Sequence, residues 1–167
     1  GVDVHVTVNT LVKEKEIESL KEYLKQLNKI GVDALIVQDM GAAEIIKKTV
    51  PDMTLHASTQ MTVTSLEGVK YLEDMGFSRV VLARELSEKE IEHICKNAKA
   101  EIEVFVHGAI CMCYSGQCLM SSILGGRSGN RGRCAQPCRL PYDLLENGKT
   151  VKSGYVLSPK DMALVND

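Results

Sequence analysis

Apolar and polar positions alternate along this chain in two different periods, which predict strands and helices in turn. Short runs rich in β-branched residues indicate strands, and apolar residues that recur every three or four positions indicate amphipathic helices. The segment 13–30 has the helical period, with apolar residues at Ile17, Leu20, Leu24 and Leu27. Strands are predicted at residues 2–8, 34–39, 53–58, 79–84 and 101–108, and further helices at 42–49, 66–75 and after Ser87.

Five predicted strands that alternate with helices indicate parallel strands with the helices packed outside them. Residues 30–39 resemble residues 75–84, each with a helix-end glycine followed by an apolar run, which supports repeated units. Such repeats favour a TIM barrel over an open sheet, and a whole barrel takes about 250 residues. We therefore predict an α/β fold of about five parallel strands, which is either an open sheet or an incomplete TIM-barrel-like array cut from a longer protein.

The last part of the chain has a different pattern. Asn147-Gly148 lies between two strand-like runs, which predicts a β-hairpin, and Ser158-Pro159 is suited to the start of a helix. We expect three parts, which are barrel repeats at 1–110, a Cys-, Gly- and Arg-rich site loop at 111–140, and a hairpin with the start of a helix at 141–167.

The composition suits one ordinary domain, with 44% apolar and 25% charged residues among 167. The net charge of −2 gives no general attraction to nucleic acid or membrane, so any RNA contact must be local. No apolar run approaches the roughly 20 residues that cross a bilayer, and the first residues lack the pattern of a signal peptide. We expect no membrane association and a cytoplasmic location, where thiols stay reduced.

Polar residues follow several of the predicted strands, and in parallel βα proteins the chemistry lies where strands end. His56, Glu85 and His107 are the candidate catalytic groups among them, and Gln60 and Arg84 are candidate substrate-binding groups. A histidine at a strand end is about as often a structural residue, so both interpretations stay open for each histidine. Further polar residues at these positions are Asn9, Gln38, Asp39 and Ser58.

Five of the six cysteines lie between residues 111 and 138 in a glycine-rich stretch. Four of them have the spacing Cys111-x6-Cys118-x15-Cys134-x3-Cys138. Four thiolates on flexible backbone can bind an iron–sulfur cluster or a structural zinc ion. The alternative is that reduced cysteines pack as small apolar groups. We predict these four cysteines as metal ligands.

Two cysteines fall outside this spacing. Cys113 alternates with Cys111, and we expect its side chain to face away from the site. Cys95 lies in a predicted helix, and we expect it in the core.

Four arginines share the loop with the cysteines, namely Arg127, Arg131, Arg133 and Arg139. Arg127, Asn130, Arg131 and Arg133 stand among glycines, and guanidinium groups bind phosphate or carboxylate in a two-pronged manner. We predict these residues as substrate-binding, against the alternative of a solvated basic loop.

A catalytic cysteine is a further alternative, because His107 lies four residues before Cys111. A cysteine nucleophile needs a base within reach and donors for an oxyanion. No recognised cysteine-protease signature is present, and neither GxSxG nor HExxH occurs, so we disfavour proteolysis by this route.

One long motif in this region has a known counterpart. Glu103-x-Phe105-x-x-Gly108-Ala109-Ile110-Cys111-x4-Gly116-x-Cys118-x-Met120-Ser121 resembles the signature of peptidase family U32, the collagenase-like proteases. The resemblance continues through residues 125–142 and 154–164, and upstream through 56–65 and 82–87, so it extends over essentially the whole chain.

This resemblance implies a TIM-barrel-like domain and two kinds of function. The family is named for proteolysis, whereas other members act in RNA hydroxylation, on a tRNA wobble uridine or a ribosomal cytidine, or in oxygen-independent ubiquinone synthesis. Members of the latter kinds carry a 4Fe–4S cluster on cysteines that match Cys111, Cys118 and Cys134. Some take the fourth ligand from further along the chain, which bears on Cys138.

From these features we expect an iron–sulfur enzyme that hydroxylates a nucleobase in tRNA or rRNA. A collagenase-like peptidase acting on a peptide and a non-catalytic scaffold stabilised by a cluster or zinc are the alternatives. Because missing barrel strands would leave sheet edges and apolar surface exposed, we also expect self-association.

Overall fold

A computed structural model describes residues 1–159 and 162–163. The chain divides into two units, residues 1–104 and residues 105–167. This division does not test the predicted three-part organisation at 1–110, 111–140 and 141–167, which stays a prediction. Within the described residues, no helix has the length and the apolar character needed to cross a bilayer.

The first unit is an α/β array whose sheet has five parallel strands in the order of the sequence. The predicted fold class is therefore confirmed. The strands are β1 (His5–Val8), β2 (Ala34–Val37), β3 (Thr54–Ala57), β4 (Phe77–Val81) and β5 (Glu101–Glu103). The helices that alternate with them are α1 (Ile17–Ile30), α2 (Met40–Thr49), α3 (Leu66–Asp74) and α4 (Glu88–Asn97).

Apolar side chains at matching positions of neighbouring strands form the core. Leu35 pairs with Leu55, which pairs with Phe77, and all three are buried. From α1, Leu20, Leu24 and Leu27 join the same core cluster. Burying one such side chain contributes about 1.5–3 kcal/mol, so this layer accounts for the association of helices and sheet.

Local signals account well for the helix boundaries. Ser87 and Glu90 form the predicted capping box at the start of α4. At the end of α1, Gly31 has φ of 78°, which an L side chain adopts only at a cost. The side chain of Asp39, predicted as a strand end, instead caps α2 by accepting from the backbone N–H of Ala42 at 3.0 Å.

The predicted fifth strand at 101–108 is wrong in its extent. Strand β5 ends at Glu103 because its partner β4 ends at Val81, and the N–H of Leu82 makes one further bond to the Glu103 carbonyl at 2.9 Å. His107 therefore does not terminate this strand. It lies in a separate two-residue strand of the second unit.

The second unit contains the cysteine loop and little regular structure. Its strands are β6 (His107–Gly108), β7 (Tyr142–Glu146), β8 (Lys149–Gly154) and β9 (Met162–Ala163), and its helix is α5 (Met120–Gly125). The predicted hairpin is confirmed, because β7 and β8 pair through a turn in which Asn147 and Gly148 have φ of 49° and 76°.

The predicted helix after Ser158-Pro159 is wrong at the two residues beyond it that are described. Met162 and Ala163 form β9, which pairs antiparallel with β6. The backbone groups of these two residues pair with the neighbouring strand and not with a preceding helical turn. The rest of that prediction, at residues 160–161 and 164–167, lies outside the described residues.

We predict that the chain self-associates through β1, an edge of the five-stranded sheet. Val2 and Val4 precede this strand with 88% and 50% of their surfaces exposed, so replacing both with lysine should reduce association. Multi-angle light scattering of the wild type should give a mass above that of the monomer, and the double variant should move towards the monomer. Ile30→Lys changes an exposed apolar residue at the end of α1 and should have no such effect. A monomeric wild type would refute the prediction.

Candidate functional site

Side-chain hydrogen bonds to the backbone hold the cysteine loop together. Ser121, at the start of α5, is buried, and its Oγ accepts from the N–H of Ala135 at 2.9 Å. Its carbonyl accepts from the N–H of Arg127 at 3.1 Å. Because Cys118 precedes Ser121 and Cys134 precedes Ala135, these bonds bring the two limbs of the loop together.

Burial and the other thiols of the loop both act on the Cys138 thiol. Burial raises the pKa of its thiol first, and the thiols of Cys111, Cys134 and Cys118 raise it further, against the opposing charge of Arg139. These three thiols are thus near enough to Cys138 to act on it electrostatically, although no three of the four are placed to hold a metal ion within the described residues. Cys111 and Cys134 are exposed, whereas Cys118 and Cys138 are half-buried.

The two remaining cysteines are not placed as predicted. Cys113 does not face away, because it is half-buried and hydrogen-bonded to the Cys118 thiol, which adds to burial in raising the pKa of Cys113. The loop does not follow the strand-like alternation with Cys111 that the prediction assumed. Cys95 is exposed on α4, since the buried position in this part of the helix is Ile94.

The cysteine loop fits a metal group in the kind and number of its donors. Four thiols suit an iron–sulfur cluster or zinc. Among the residues that the structure describes, no group of three or more His, Cys, Asp or Glu side chains is placed to hold a metal ion as it stands. A thiol releases its proton on ligation, and the raised pKa of Cys138 makes that proton harder to release. The ligand set stays a prediction.

Arg139 ties the beginning and the end of the loop to a third segment. Its guanidinium donates to the carbonyl of Ile110 at 2.9 Å, to Oγ of Ser158 at 2.7 Å and to the carbonyl of Pro159 at 3.2 Å. Ile110 and Arg139 are the chain neighbours of Cys111 and Cys138. Arg139 is therefore a positioning residue for two predicted ligands.

The predicted anion-binding residues differ in their hydrogen bonds and in the local structure around them. Arg127 donates from Nε to the carbonyl of Arg133 at 3.1 Å, which helps to close the loop. Asn130 and Arg131 lie in a 3-10 helix, residues Gly129–Arg131. The guanidinium of Arg133 makes no hydrogen bond or ion pair within the described residues, and the residue is exposed. Their role in binding substrate stays a prediction.

His56 lies within β3 and not at its end. Only 5% of its surface is exposed, and its Nδ1 is buried without a partner among the described atoms. Its ring contacts the edge of His5 on β1, with 4.8 Å between centroids. Burial lowers the pKa of His56, and the charges of Arg79 and His5 lower it further, so its neutral form is favoured.

A polar row continues from His56 across two further strands. Arg79 on β4 donates to Glu101 at 2.6 Å and to Glu103 at 3.3 Å, both on β5. The sequence predicted no role for Arg79 or Glu101, and Glu103 entered only as part of the family motif. Alternation in the segment Glu101–Glu103 could have indicated that both carboxylates share one side of the sheet.

The remaining candidates lie on three segments of the chain. Gln60 lies in a 3-10 helix, Thr59–Met61, and lines a cleft together with Gln38. Arg84 and Glu85 lie on the connection between β4 and α4. His107, exposed in β6, belongs to the second unit. Their predicted catalytic and binding roles are not tested by these positions.

Comparison with known proteins identifies the family. The model of Peptidase family U32 matches residues 1–167. The chain belongs to peptidase family U32.

Among the relatives of this U32 chain, the 23S rRNA 5-hydroxycytidine C2501 synthase of Escherichia coli is 46% identical over 163 residues, which cover 96% of this chain and 24% of that protein. The tRNA hydroxylation protein P1 of Bacillus subtilis is 36% identical over 173 residues, which cover 99% of this chain and 41% of that protein.

This U32 chain thus spans about a quarter and about two-fifths of the lengths of these relatives. A solved structure, that of the U32 peptidase Mk0906, matches with a TM-score of 0.55 and 21% identity, covering 65% of this chain and 47% of that one. This similarity concerns the fold alone, and it agrees with the predicted partial-barrel architecture.

The lowered pKa of His56 predicts how the stability of the U32 chain depends on pH. Because the unfolded chain binds this proton more readily, the stabilisation is present above the ordinary pKa of 6.5 and is lost as the pH falls through the folded-state pKa. Urea unfolding between about pH 7.5 and about pH 5.5 should show a smaller loss of stability in His56→Gln than in the wild type. His93→Gln, at an exposed site on α4, is the control. Equal losses in all three proteins would contradict this assignment.

The contacts of Arg139 predict that Arg139→Lys loosens the U32 cysteine loop, because one ammonium group cannot reach three separate oxygens. Losing a hydrogen bond of about 1–1.5 kcal/mol should raise amide hydrogen exchange across residues 110–118 by about tenfold. Arg133→Lys is the matched control. Equal exchange in the two variants would show that Arg139 does not position this segment.

Proposed function

We propose that this U32 chain is the cysteine-bearing part of an enzyme that hydroxylates a nucleobase in RNA. The observation that carries the proposal is the single loop that bears Cys111, Cys118, Cys134 and Cys138, whose two limbs are joined by the Ser121 hydroxyl, which accepts from the N–H of Ala135 at 2.9 Å. The names of two relatives that align with 96% and 99% of this chain, an rRNA hydroxycytidine synthase and a tRNA hydroxylation protein, support RNA as the substrate.

The four thiolates would hold a 4Fe–4S cluster, with zinc as the alternative metal. When bound, such a cluster supplies one-electron transfer. Ser121 and Arg139 set the distance between the ligand-bearing limbs through their bonds to backbone groups. Cys113, hydrogen-bonded to Cys118, lies close enough to affect the electronics of that ligand.

Arg133 is the cation best suited to an RNA phosphate, because its guanidinium has no partner within the described residues. Arg127 is already bonded to the Arg133 carbonyl and would act mainly by shaping the loop. An RNA substrate and reduced thiols also agree with the predicted cytoplasmic location.

The family name supports a second candidate, a peptidase. That activity requires a base beside the nucleophilic thiol. Within the described residues, Cys111 makes no hydrogen bond to His107, which was the proposed base. This observation favours thiols as ligands over Cys111 as a nucleophile.

The test uses the full-length parent protein, purified without oxygen. We predict close to four iron and four sulfide per chain. Cys111→Ala and Cys118→Ala should lose most of the iron, whereas Cys95→Ala, which changes an exposed cysteine outside the loop, should keep it. Zinc in place of iron would reject the cluster.

RNA from a strain without the parent gene tests the reaction. Mass spectrometry should show the loss of a hydroxylated nucleoside, restored by the wild type and by Cys95→Ala but not by Cys118→Ala. Unchanged RNA together with cleavage of a peptide that depends on Cys111 would support the peptidase instead. Unchanged RNA and no cleavage, with metal bound, would support the non-catalytic scaffold.

A further inference from the structure

A cleft of about 390 Å³ opens on the first unit, well away in sequence from the cysteine loop. Pockets for small ligands begin at about this size. Four segments build it: the connection after β1, the start of α2, the loop between β3 and α3, and α3 itself. Its polar lining residues are Gln38, Gln60, Thr62, Thr64 and Ser65, and its apolar ones are Leu11, Met40, Met61, Val63, Tyr71 and Leu72.

The Gln38 side chain brings an acceptor without a hydrogen-bond partner to the cleft. It lines the cleft with 8% of its surface exposed, and its amide oxygen is buried without a donor among the described atoms. A buried acceptor with no partner is costly, and few occur in a folded protein. Rotation about the terminal torsion of glutamine is easy, so either end of the amide can be turned towards a ligand.

The side chains that line the cleft favour a neutral ligand. None of the residues that line the cleft is Asp, Glu, Lys, Arg or His. A carboxylate or phosphate placed there would lose its hydration without gaining a counter-ion. The occupant is therefore neutral, with an N–H group for Gln38 and an apolar body for Met40, Met61 and Tyr71.

Hydrogen bonds to neighbouring segments hold the walls of the cleft. The loop from Thr59 to Ser65 is held by Thr59 Oγ1, which donates to the Leu82 carbonyl at 3.1 Å, and by the Val63 carbonyl, which accepts from Ala83 at 3.0 Å. Thr62 has φ of 58°, a conformation that is rare for a β-branched residue. Asp39 holds the opposite wall by accepting from the N–H of Val12 at 3.0 Å.

We infer that this cleft binds a neutral nucleobase that has left its stack, and that Gln38 pairs with the amino edge of the base. The inference rests on the proposed function, because RNA supplies the base. Enzymes that modify a base take it out of the stack and hold it between apolar side chains. A glutamine amide matches an edge that offers an N–H donor beside a ring acceptor, as in cytosine and adenine.

Binding of cytidine to the chain, followed by NMR, tests this assignment. Cytidine should shift the backbone amide signals of Thr62, Ser65 and Gly68 in a saturable manner. N4,N4-dimethylcytidine, which has no N–H on the pairing edge of the base, should bind about tenfold more weakly. Gln38→Met keeps the length of the side chain and should weaken cytidine binding about tenfold, with little effect on the dimethyl analogue.

Tyr71→Ala provides a second variant that is safe for folding, because 61% of this side chain is exposed on α3. It should weaken the binding of both nucleosides alike by removing a surface for stacking.

Equal binding of cytidine and its dimethyl analogue, unchanged binding in Gln38→Met, or a blocked dipeptide that binds as tightly as cytidine would overturn the assignment. If cytidine fails to bind while deletion of the parent gene still removes a hydroxylated nucleoside, the cleft is wrong and the proposed function stands.

Discussion

The alternation of side chains along parallel strands is the constraint on which the first unit depends. One set of positions, such as Val37, Ala57 and Val80, enters the core. The other set carries His56, Arg79 and the carboxylates of β5. A shift of one residue in any strand would exchange the two sets. Core packing therefore fixes the polar row as well, and it fixes the strand ends from which the cleft walls begin.

The second unit obeys a different constraint, since it has few apolar residues that are buried. Hydrogen bonds, chiefly those of the Ser121 and Arg139 side chains, hold its segments together. In the first unit, a packed apolar core has that role. Such bonds each contribute about 0.5–1.5 kcal/mol and depend on geometry. A loop that is held by hydrogen bonds can move its cysteines to fit a metal more readily than a segment within a packed core could.

Sequence patterns predicted the features that local chemistry determines. The capping box at Ser87 and the turn at Asn147-Gly148 need only neighbouring residues, and the order of five parallel strands follows from alternation with helices. The extent of the fifth strand could not be predicted, because it depends on where its partner β4 ends. The neighbourhood of Cys113 also depends on contacts between distant parts of a loop, which spacing does not encode. For the same reason, the sequence indicated Arg139 only as one of four arginines in the loop, and not as the residue that donates to the backbone beside Cys111.

The β7–β8 hairpin has a consequence for how the second unit opens. Both its strands are largely exposed, and an isolated two-stranded hairpin is marginally stable in water. It is attached through the hydroxyl of Tyr142, which donates to the Pro137 carbonyl at 2.9 Å, and its chain continues to Ser158, a partner of Arg139. Detachment of the hairpin would thus release the segment that carries Cys138. The hairpin and the ligand-bearing loop then form one cooperative unit of local unfolding, in which a metal bound at one end would slow the opening of the other.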